Sequence, residues 1–276
     1  MVVTNEIKLG NYTATTSDVR KRRHSAIYWG PPGGGKTTLA STAPKPLLLL
    51  NFDSDGSTSI SDVKDIIEFD LSQDSGEICA RFSEPDPMQL SKLIEKQGIK
   101  TVVVDSITSF VDKALQYGVE HAQRSKQHMR SGITLEDPGF GGYGRRKTWA
   151  LGLFRNMNAL TLRHMCHVIY IGHEDSPEKD SDGNFLYQTL ALGSDLPDKT
   201  GLSVSEVWHV RDTGKERRIA VRPFQGKKPI KSRMFTTKDA ADFAWKYDPT
   251  TRKGHTVEQW IKEWERNKWL SMPLPK

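Results

Sequence analysis

The feature that most constrains this chain is the run from Gly30 to Thr37, Gly-Pro-Pro-Gly-Gly-Gly-Lys-Thr, which fits the pattern G-x-x-x-x-G-K-[ST] in full. An apolar stretch, Ala26–Trp29, ends directly before it, and a helix-compatible stretch begins at Lys36. Glycines let consecutive backbone N–H groups turn toward a phosphate, and the new helix adds its positive end. The sequence therefore predicts a phosphate-binding loop (P-loop) between a strand and a helix.

A loop of this kind predicts a nucleoside triphosphate as ligand, and we expect ATP with Mg²⁺. Lys36 can reach the β- and γ-phosphates, and the Thr37 hydroxyl can bind the metal ion. The expected ATP-binding residues are Gly30, Pro31, Pro32, Gly33, Gly34, Gly35, Lys36, Thr37 and Thr38.

The rest of the chain alternates short apolar runs with longer amphipathic ones, as in an α/β protein with a mostly parallel sheet flanked by helices. The predicted strands are Ala26–Trp29, Leu47–Phe52, Thr101–Asp105 and His167–Gly172. The predicted helices begin at Lys36 or cover Pro87–Gln97, Ile107–Gln123 and Gly144–Arg163.

Beyond Gly172 the pattern changes to shorter strands joined by turns, which we expect to be more exposed. They are Phe185–Ala191, Ser205–Arg211 and Arg217–Arg222, and a final helix is predicted over Thr256–Leu270. We therefore expect an N-terminal basic arm over residues 1–24, a principal domain over 25–235 and a C-terminal helical tail over 236–276.

Composition excludes several classes of protein. The longest aliphatic runs of the 276 residues are far too short to cross a bilayer, so we expect no membrane partner. The first residues do not resemble a secretory signal, and two cysteines cannot build a disulfide scaffold. We therefore expect a cytoplasmic location.

Three polar strand ends are candidates for catalysis. Asp105 ends an aliphatic strand, where a carboxylate lies beside the P-loop magnesium, although Asp105-Ser106 also suits a helix cap. Asp53 and Asp55 follow the second strand, and we favour Asp55 for orienting the attacking water, with a solvated turn as the alternative. His173 follows the fourth strand, either as a sensor of the γ-phosphate or as a surface residue.

This order of motifs resembles the RecA-like ATPases, and most of all the compact phage nucleotide-binding proteins of the Sak type, which anneal single strands. The resemblance covers about residues 25–233. It implies that Asp55, where Glu is usual, activates water, that Asp105 lies beside magnesium and that His173 is a γ-phosphate switch. Lys231-Ser232-Arg233 is similar to the Lys-x-Arg that relatives insert into the neighbouring subunit's site. The resemblance thus implies a ring or filament in which Lys231 and Arg233 complete catalysis in trans.

A basic segment suggests where nucleic acid binds. Residues 124–147 hold six basic residues against two acidic ones, together with two aromatic residues and five glycines, which favours a flexible loop that binds single-stranded DNA. A solvated basic face is the alternative. The expected DNA-binding residues are Arg124, Lys126, Arg130, Phe140, Tyr143, Arg145, Arg146 and Lys147. Residues 211–233 form a second basic segment that adds to the expectation of DNA binding.

Taken together, the sequence predicts a homo-oligomeric, DNA-coupled ATPase that binds single-stranded DNA in phage-type recombination or annealing, with a single-strand-binding protein as a further partner. Two alternatives stay open. One is a replicative helicase or helicase loader with the same core. The other is a nucleotide-switched interaction protein with little turnover, which the Asp at position 55 keeps open.

Overall fold

The structure, a computed structural model, describes residues 8–9, 12–13, 22–54, 57–124, 133–236 and 240–275. The strands are β1 (Lys8–Leu9), β2 (Tyr12–Thr13), β3 (Ser25–Gly30), β4 (Leu47–Asn51), β5 (Ile66–Asp70), β6 (Thr101–Asp105), β7 (His167–His173), β8 (Glu178–Lys179), β9 (Phe185–Tyr187), β10 (Glu206–Asp212), β11 (Arg217–Ala220), β12 (Asp242–Ala244), β13 (Tyr247–Asp248) and β14 (Lys253–Gly254). The helices are α1 (Lys36–Ser41), α2 (Glu77–Phe82), α3 (Leu90–Gln97), α4 (Ile107–Arg124), α5 (Gly139–Arg163), α6 (Leu196–Leu202) and α7 (Val257–Arg266), with short 3-10 turns at Thr58–Ile60 and Pro87–Gln89. In these described ranges no helix is both long and apolar enough to span a bilayer.

An eight-stranded sheet lies at the centre, in the order β12-β11-β10-β3-β7-β6-β4-β5. The six strands from β10 to β5 are parallel, and β11 and β12 extend the sheet in antiparallel pairing. The predicted α/β fold with a mostly parallel sheet is therefore confirmed. The strand that leads into the P-loop, β3, lies in the interior of this sheet, between β10 and β7.

Helices cover both faces of the sheet. Alternate side chains of each strand point to opposite faces, so each face presents apolar residues for a helix to pack on. On one face Ile27 and Val104 belong to the same buried cluster as Phe110 of α4 and Leu153 of α5. On the other face the buried cluster joins strand residues to α1 and α7. This covering of both faces explains why the central strands are apolar without polar alternation.

The structure corrects the prediction for β10, which we expected to be a shorter, more exposed strand. It is a buried member of the parallel sheet, paired with β3. Its polar side chains are buried with partners: Glu206 accepts hydrogen bonds from the Trp208 indole at 2.9 Å and from the Arg233 amide at 2.9 Å. The edge strand β5, with its charged residues, was not predicted at all.

Of the flexible loop expected over residues 124–147, the structure corrects the part over 139–147, because helix α5 already begins at Gly139, while residues 125–132 lie outside the described residues. Glycines here serve the packing of α5 against α4. A Cβ on Gly118 would lie 3.2 Å from the Gly142 carbonyl oxygen, and one on Gly142 would lie 3.2 Å from Val119 Cγ2. Gly118 and Gly142 therefore reflect a close contact between the two helices.

The C-terminal segment is integrated with the principal domain. Strand β12 extends the main sheet, and α7 starts with a capping box between Thr256 and Gln259. The Val257 amide donates to Thr42 Oγ1 at 2.9 Å, which fixes the start of α7 at the end of α1. The C-terminal segment thus contributes the strand β12 to the main sheet as well as the expected helix, and both pack on the core.

Candidate active site

The P-loop connects β3 to α1 and packs against the end of β10. A Cβ on Gly30 would lie 2.1 Å from the Val210 carbonyl oxygen, and one on Gly34 would lie 2.8 Å from the same atom. Gly35 has a φ of +90°, a conformation that favours glycine. The glycines are therefore required by the backbone path of the loop itself.

A cavity of about 510 Å³ opens beside this loop. Lys36 is 5% exposed, and its Nζ donates to the carbonyl oxygens of Gly30 at 3.0 Å and Pro31 at 2.7 Å. Burial lowers the pKa of Lys36 to about 8, and the nearby carboxylates oppose that shift. The lining residues are Pro32, Gly33, Gly35, Lys36, Thr37, Thr38, Asp53, Ser54, Ser59, Asp105, Ile171, His173 and Arg217.

Thr37 and Asp105 meet in this cavity. Thr37 Oγ1 donates to Asp105 Oδ2 at 2.7 Å, and Asp105 is 2% exposed. Burial raises the pKa of Asp105 to about 6, although the hydrogen bond from Thr37 opposes the shift. A hydroxyl and a carboxylate are the oxygen donors that suit Mg²⁺ beside a nucleotide, so these two residues fit that ion.

Asp53 and His173 form a second polar pair in the cavity. His173 Nε2 lies 3.2 Å from Asp53 Oδ2, while the hydroxyls of Ser106 and Ser109 donate to Asp53 Oδ1. Burial alone would raise the pKa of Asp53, but the hydrogen bonds from His173 and Ser109 outweigh it and lower the pKa. Asp53 is therefore held as a carboxylate by three side chains.

The structure brings Asp53 to the cavity, whereas the sequence favoured Asp55. Asp55 lies outside the described residues, so its expected role stays a prediction. One signal in the sequence pointed to Asp53: it comes two residues after the end of β4, at the edge where the parallel strands converge. Of the two serines that hold it, Ser106 was noted only as part of the Asp105-Ser106 helix cap, and Ser109 carried no recognisable motif.

Lys231 and Arg233 lie at the other end of the sheet. Lys231 pairs with Val207 at the start of β10, and the Arg233 amide donates to Glu206 at 2.9 Å. The P-loop contacts the same strand at Val210, four residues after Glu206, which is a separation of roughly 13 Å along the strand. The Arg233 side chain is exposed. The fold therefore does not bring Lys231 and Arg233 to the cavity of their own chain.

The residues expected to bind DNA lie at the end of α4 and the start of α5, where described; Lys126 and Arg130 lie outside the described residues. Phe140 is fully exposed and Tyr143 is 45% exposed. The basic side chains make contacts within the protein: Arg124 with Glu120 at 3.6 Å, Arg145 with the Gly118 carbonyl at 3.3 Å, Arg146 over the Tyr143 ring at 5.0 Å and Lys147 with Asp195 at 2.9 Å.

The second basic segment, residues 211–233, is largely used inside the fold. Arg211 and Arg218 both bind Asp242 of β12, at 2.6 and 2.8 Å, and Lys227 lies 3.3 Å from Glu174. These ion pairs join β10, β11 and β12 to one another and to the segment after β7. Part of the positive charge that the sequence offered for DNA binding here is therefore neutralised by internal partners.

Comparison with known proteins identifies the family. The model of the family described as "AAA domain" matches residues 22–220. No curated protein matches the chain. Among solved structures it is similar to a KaiC-like protein from the hyperthermophilic archaeon Pyrococcus horikoshii OT3, with 13% identity, 82% of this chain and 86% of that chain covered, and a TM-score of 0.42. The mostly parallel sheet with a P-loop between β3 and α1 agrees with the predicted α/β fold of a P-loop NTPase. The family match covers well over half of the sequence, so the chain belongs to the AAA domain family and is a P-loop ATPase.

Proposed function

We propose that the protein hydrolyses Mg²⁺-ATP at the interfaces of a homo-oligomer and couples hydrolysis to binding of single-stranded DNA, in phage-type recombination or annealing. The observation that carries the proposal is the contact between Thr37 Oγ1 and Asp105 Oδ2 at 2.7 Å, beside Lys36 and within the cavity that Asp53 and His173 also line. These are the parts that hold a triphosphate, its metal ion and an attacking water.

Each residue has a role in this proposal. Lys36 would exchange its two carbonyl partners for phosphate oxygens, and Thr37 with Asp105 would hold Mg²⁺, which neutralises charge on the phosphates. Asp53, kept ionised by its hydrogen bonds, would accept a hydrogen bond from the attacking water. His173 would respond to the γ-phosphate, because its Nε2 contacts Asp53 at 3.2 Å.

Assembly is supported by the position of Arg233. Its side chain is exposed, and the amide of the same residue is anchored at the end of β10 opposite the P-loop. A residue so placed can meet a P-loop only in another copy of the chain. An arginine supplied in trans would stabilise the charge of the transition state and make hydrolysis depend on assembly.

DNA binding is supported by the exposed ring of Phe140 and by Tyr143 one helical turn later. Bases stack on exposed aromatic rings, and nearby cations meet the phosphates. Arg124 is exposed at the end of α4, and its ion pair with Glu120 is long, at 3.6 Å, so its guanidinium can meet a phosphate. The acidic residues after β7 favour this helical surface over that segment for binding a polyanion.

The assembly proposal is tested by mixing two inactive variants. Arg233→Ala keeps its P-loop and should bind ATP without hydrolysing it, whereas Lys36→Ala keeps the finger and should not bind ATP. Mixed assemblies contain junctions with an intact P-loop facing an intact finger, so we expect ATPase activity to return on mixing. No recovery, or full activity of Arg233→Ala alone, would contradict the finger in trans. Arg22→Ala removes another exposed arginine and serves as the control.

The coupling to DNA is tested by the ATPase rate with and without single-stranded DNA over a range of protein concentrations. We expect the rate per chain to rise with concentration and with DNA. Tight ATP binding without DNA-stimulated turnover would favour the nucleotide-switched interaction protein. Processive unwinding of a forked duplex would favour the helicase.

A further inference from the structure

Arg217 lies against the P-loop of its own chain, although its sequence context marks it only as one member of a basic segment. It is the first residue of β11 and lines the nucleotide cavity. A Cβ placed on Gly35 would lie 3.1 Å from Arg217 Nε and 3.2 Å from its Cδ, so the side chain packs directly over that glycine. Glycine at position 35 is needed to admit this arginine as well as to turn the loop.

The Arg217 guanidinium is incompletely paired. Its Nη1 is buried without a hydrogen-bond partner, and its nearest carboxylate, Asp212 Oδ2, is 3.8 Å from Nε. Its Cζ lies 5.8 Å from the centre of the Trp245 ring. The side chain is 26% exposed, so burial without a partner costs free energy that an anion could recover. Among the described residues that line the cavity, Arg217 and Lys36 are the two that belong to the lysine and arginine types.

The sheet order shows which part of a nucleotide Arg217 would meet. Asp105 is on β6 and His173 on β7, both on one side of the P-loop strand β3. Arg217 is on β11, which lies on the other side of β3, beyond β10. Since the metal ion and the γ-phosphate belong with Asp105 and His173, the opposite side of the loop faces the part of the triphosphate nearest the nucleoside.

Resting on the ATP binding proposed above, we infer that Arg217 is a binding residue for the α-phosphate of the nucleotide in its own subunit. The guanidinium fork donates to the α-phosphate through the unpaired Nη1. Arg217 thereby acts in cis at the nucleoside end of the triphosphate, whereas Arg233 acts in trans during hydrolysis. Arg217 therefore contributes to nucleotide affinity, and it does so even in a single, unassembled chain.

The test measures dissociation constants by calorimetry at low protein concentration for Mg²⁺-ATP, Mg²⁺-ADP and inorganic triphosphate. Arg217→Ala should weaken all three, by roughly 10- to 100-fold, because a charge-assisted hydrogen bond is lost. Arg217→Lys should recover part of the affinity, since it restores the charge without the fork. Lys96→Ala, an exposed cation on α3, controls for net charge and should leave all three values unchanged.

The outcomes separate the two proposals. If wild-type protein binds ATP and Lys36→Ala does not, while Arg217→Ala binds normally, ATP binding stands and the role of Arg217 is wrong. Weaker binding of ATP and ADP with unchanged binding of inorganic triphosphate would also overturn it, since Arg217 would then contact the base or ribose. Absence of ATP binding by the wild type would instead remove the proposed function. Thermal unfolding of each variant without ligand shows whether a loss of affinity reflects a loss of folded protein.

Discussion

His173 Nε2 lies 3.2 Å from Asp53 Oδ2, so the last residue of β7 and the carboxylate that follows β4 form one hydrogen-bonded pair in the nucleotide cavity. Two strands that are far apart in sequence are linked at this point. A change at either residue therefore affects the other, and the pair can be tested as a unit.

We expect Asp53→Asn to lower the ATPase rate by about 100-fold with little change in ATP affinity, because the amide cannot replace an ionised acceptor for water. The same substitution at position 55 is the comparison. If Asp55→Asn loses the activity and Asp53→Asn keeps it, the interpretation from sequence is right and Asp53 only positions His173. A double-mutant cycle that combines Asp53→Asn with His173→Ala should give a coupling free energy of about 1 kcal/mol or more.

Asp105→Asn should remove the advantage that Mg²⁺ gives to ATP binding. Thr37 then keeps a polar neighbour, but the carboxylate charge that holds the metal ion is lost. Titrations with and without a chelator should show wild-type affinity falling roughly tenfold or more when Mg²⁺ is removed. The variant should bind with similar affinity in both conditions; a retained metal effect would contradict this assignment.

The exposed rings on α5 give a test of DNA binding. Phe140→Ala and Tyr143→Ala should each weaken binding of single-stranded DNA by roughly tenfold, since stacking of one base contributes about 1–3 kcal/mol. Phe69→Ala, an exposed phenylalanine on the edge strand β5, is the matched control and should have no effect. The association constant for DNA should also fall with salt. For each phosphate contacted, its logarithm should decrease by about 0.7 per tenfold increase in salt concentration. A DNA affinity that does not change with salt concentration would contradict an electrostatic contact.

A partly buried histidine, His167, makes stability depend on pH. His167 Nδ1 accepts a hydrogen bond from the His24 amide at 3.0 Å, and burial, together with the charge of Arg23, lowers the pKa of His167 to about 4. The pKa of His24 is lowered well below its ordinary value by burial, and His167 and Arg23 lower it further. Above about pH 6.5 both folded and unfolded chains hold His167 neutral; below it the unfolded chain gains a proton first, so stability falls.

The loss from His167 should approach about 3 kcal/mol as the pH falls from 6.5 to 4. Urea unfolding over this range measures it. His167→Gln keeps an acceptor for the His24 amide without titrating, so its stability should fall less steeply than that of the wild type. His121→Gln, an exposed residue on α4, should follow the wild-type curve. Equal slopes for wild type and His167→Gln would exclude this histidine as the cause.

Helix α7 should contribute strongly to stability. Trp260 is 3% exposed, and its ring lies between 5.7 and 5.9 Å from those of Trp208, Phe235 and Phe243. Trp260→Ala should cost about 3–5 kcal/mol of unfolding free energy. Leu270→Ala, at an exposed position nearby, should change it by less than about 0.5 kcal/mol. A small effect at Trp260 would mean that the C-terminal segment unfolds independently of the sheet.

The sequence predicted best where local chemistry is decisive. The P-loop glycines and the carboxylate that ends β6 stand at positions that the backbone path and the expected ligand require. Both were predicted at the positions where the structure has them. Strand β10 was misjudged because Glu206 and His209 have the polarity of exposed residues. Their partners, the Trp208 indole and Glu174, are brought to them only by the tertiary fold.

Other features could not be predicted because they depend on pairs of elements. The glycines at 139–144 have a loop-like composition, yet Gly142 is buried in a helix against Gly118. Arg217 belongs to a basic segment, and only the pairing of β11 with β10 brings it to Gly35. Asp53 and Asp55 cannot be ranked from their order alone, since the direction of each side chain after a strand depends on the path of the next loop.

Arg233 and the P-loop of its own chain lie toward opposite ends of β10. Any head-to-tail assembly of the chain therefore has a polarity. In an open row of subunits, the cavity at one terminus has no neighbour to supply an arginine, so functional junctions number one fewer than chains. A closed circle has as many junctions as chains. Short open filaments should therefore hydrolyse less ATP per chain than long ones. A closed ring reaches its full rate once the last subunit joins.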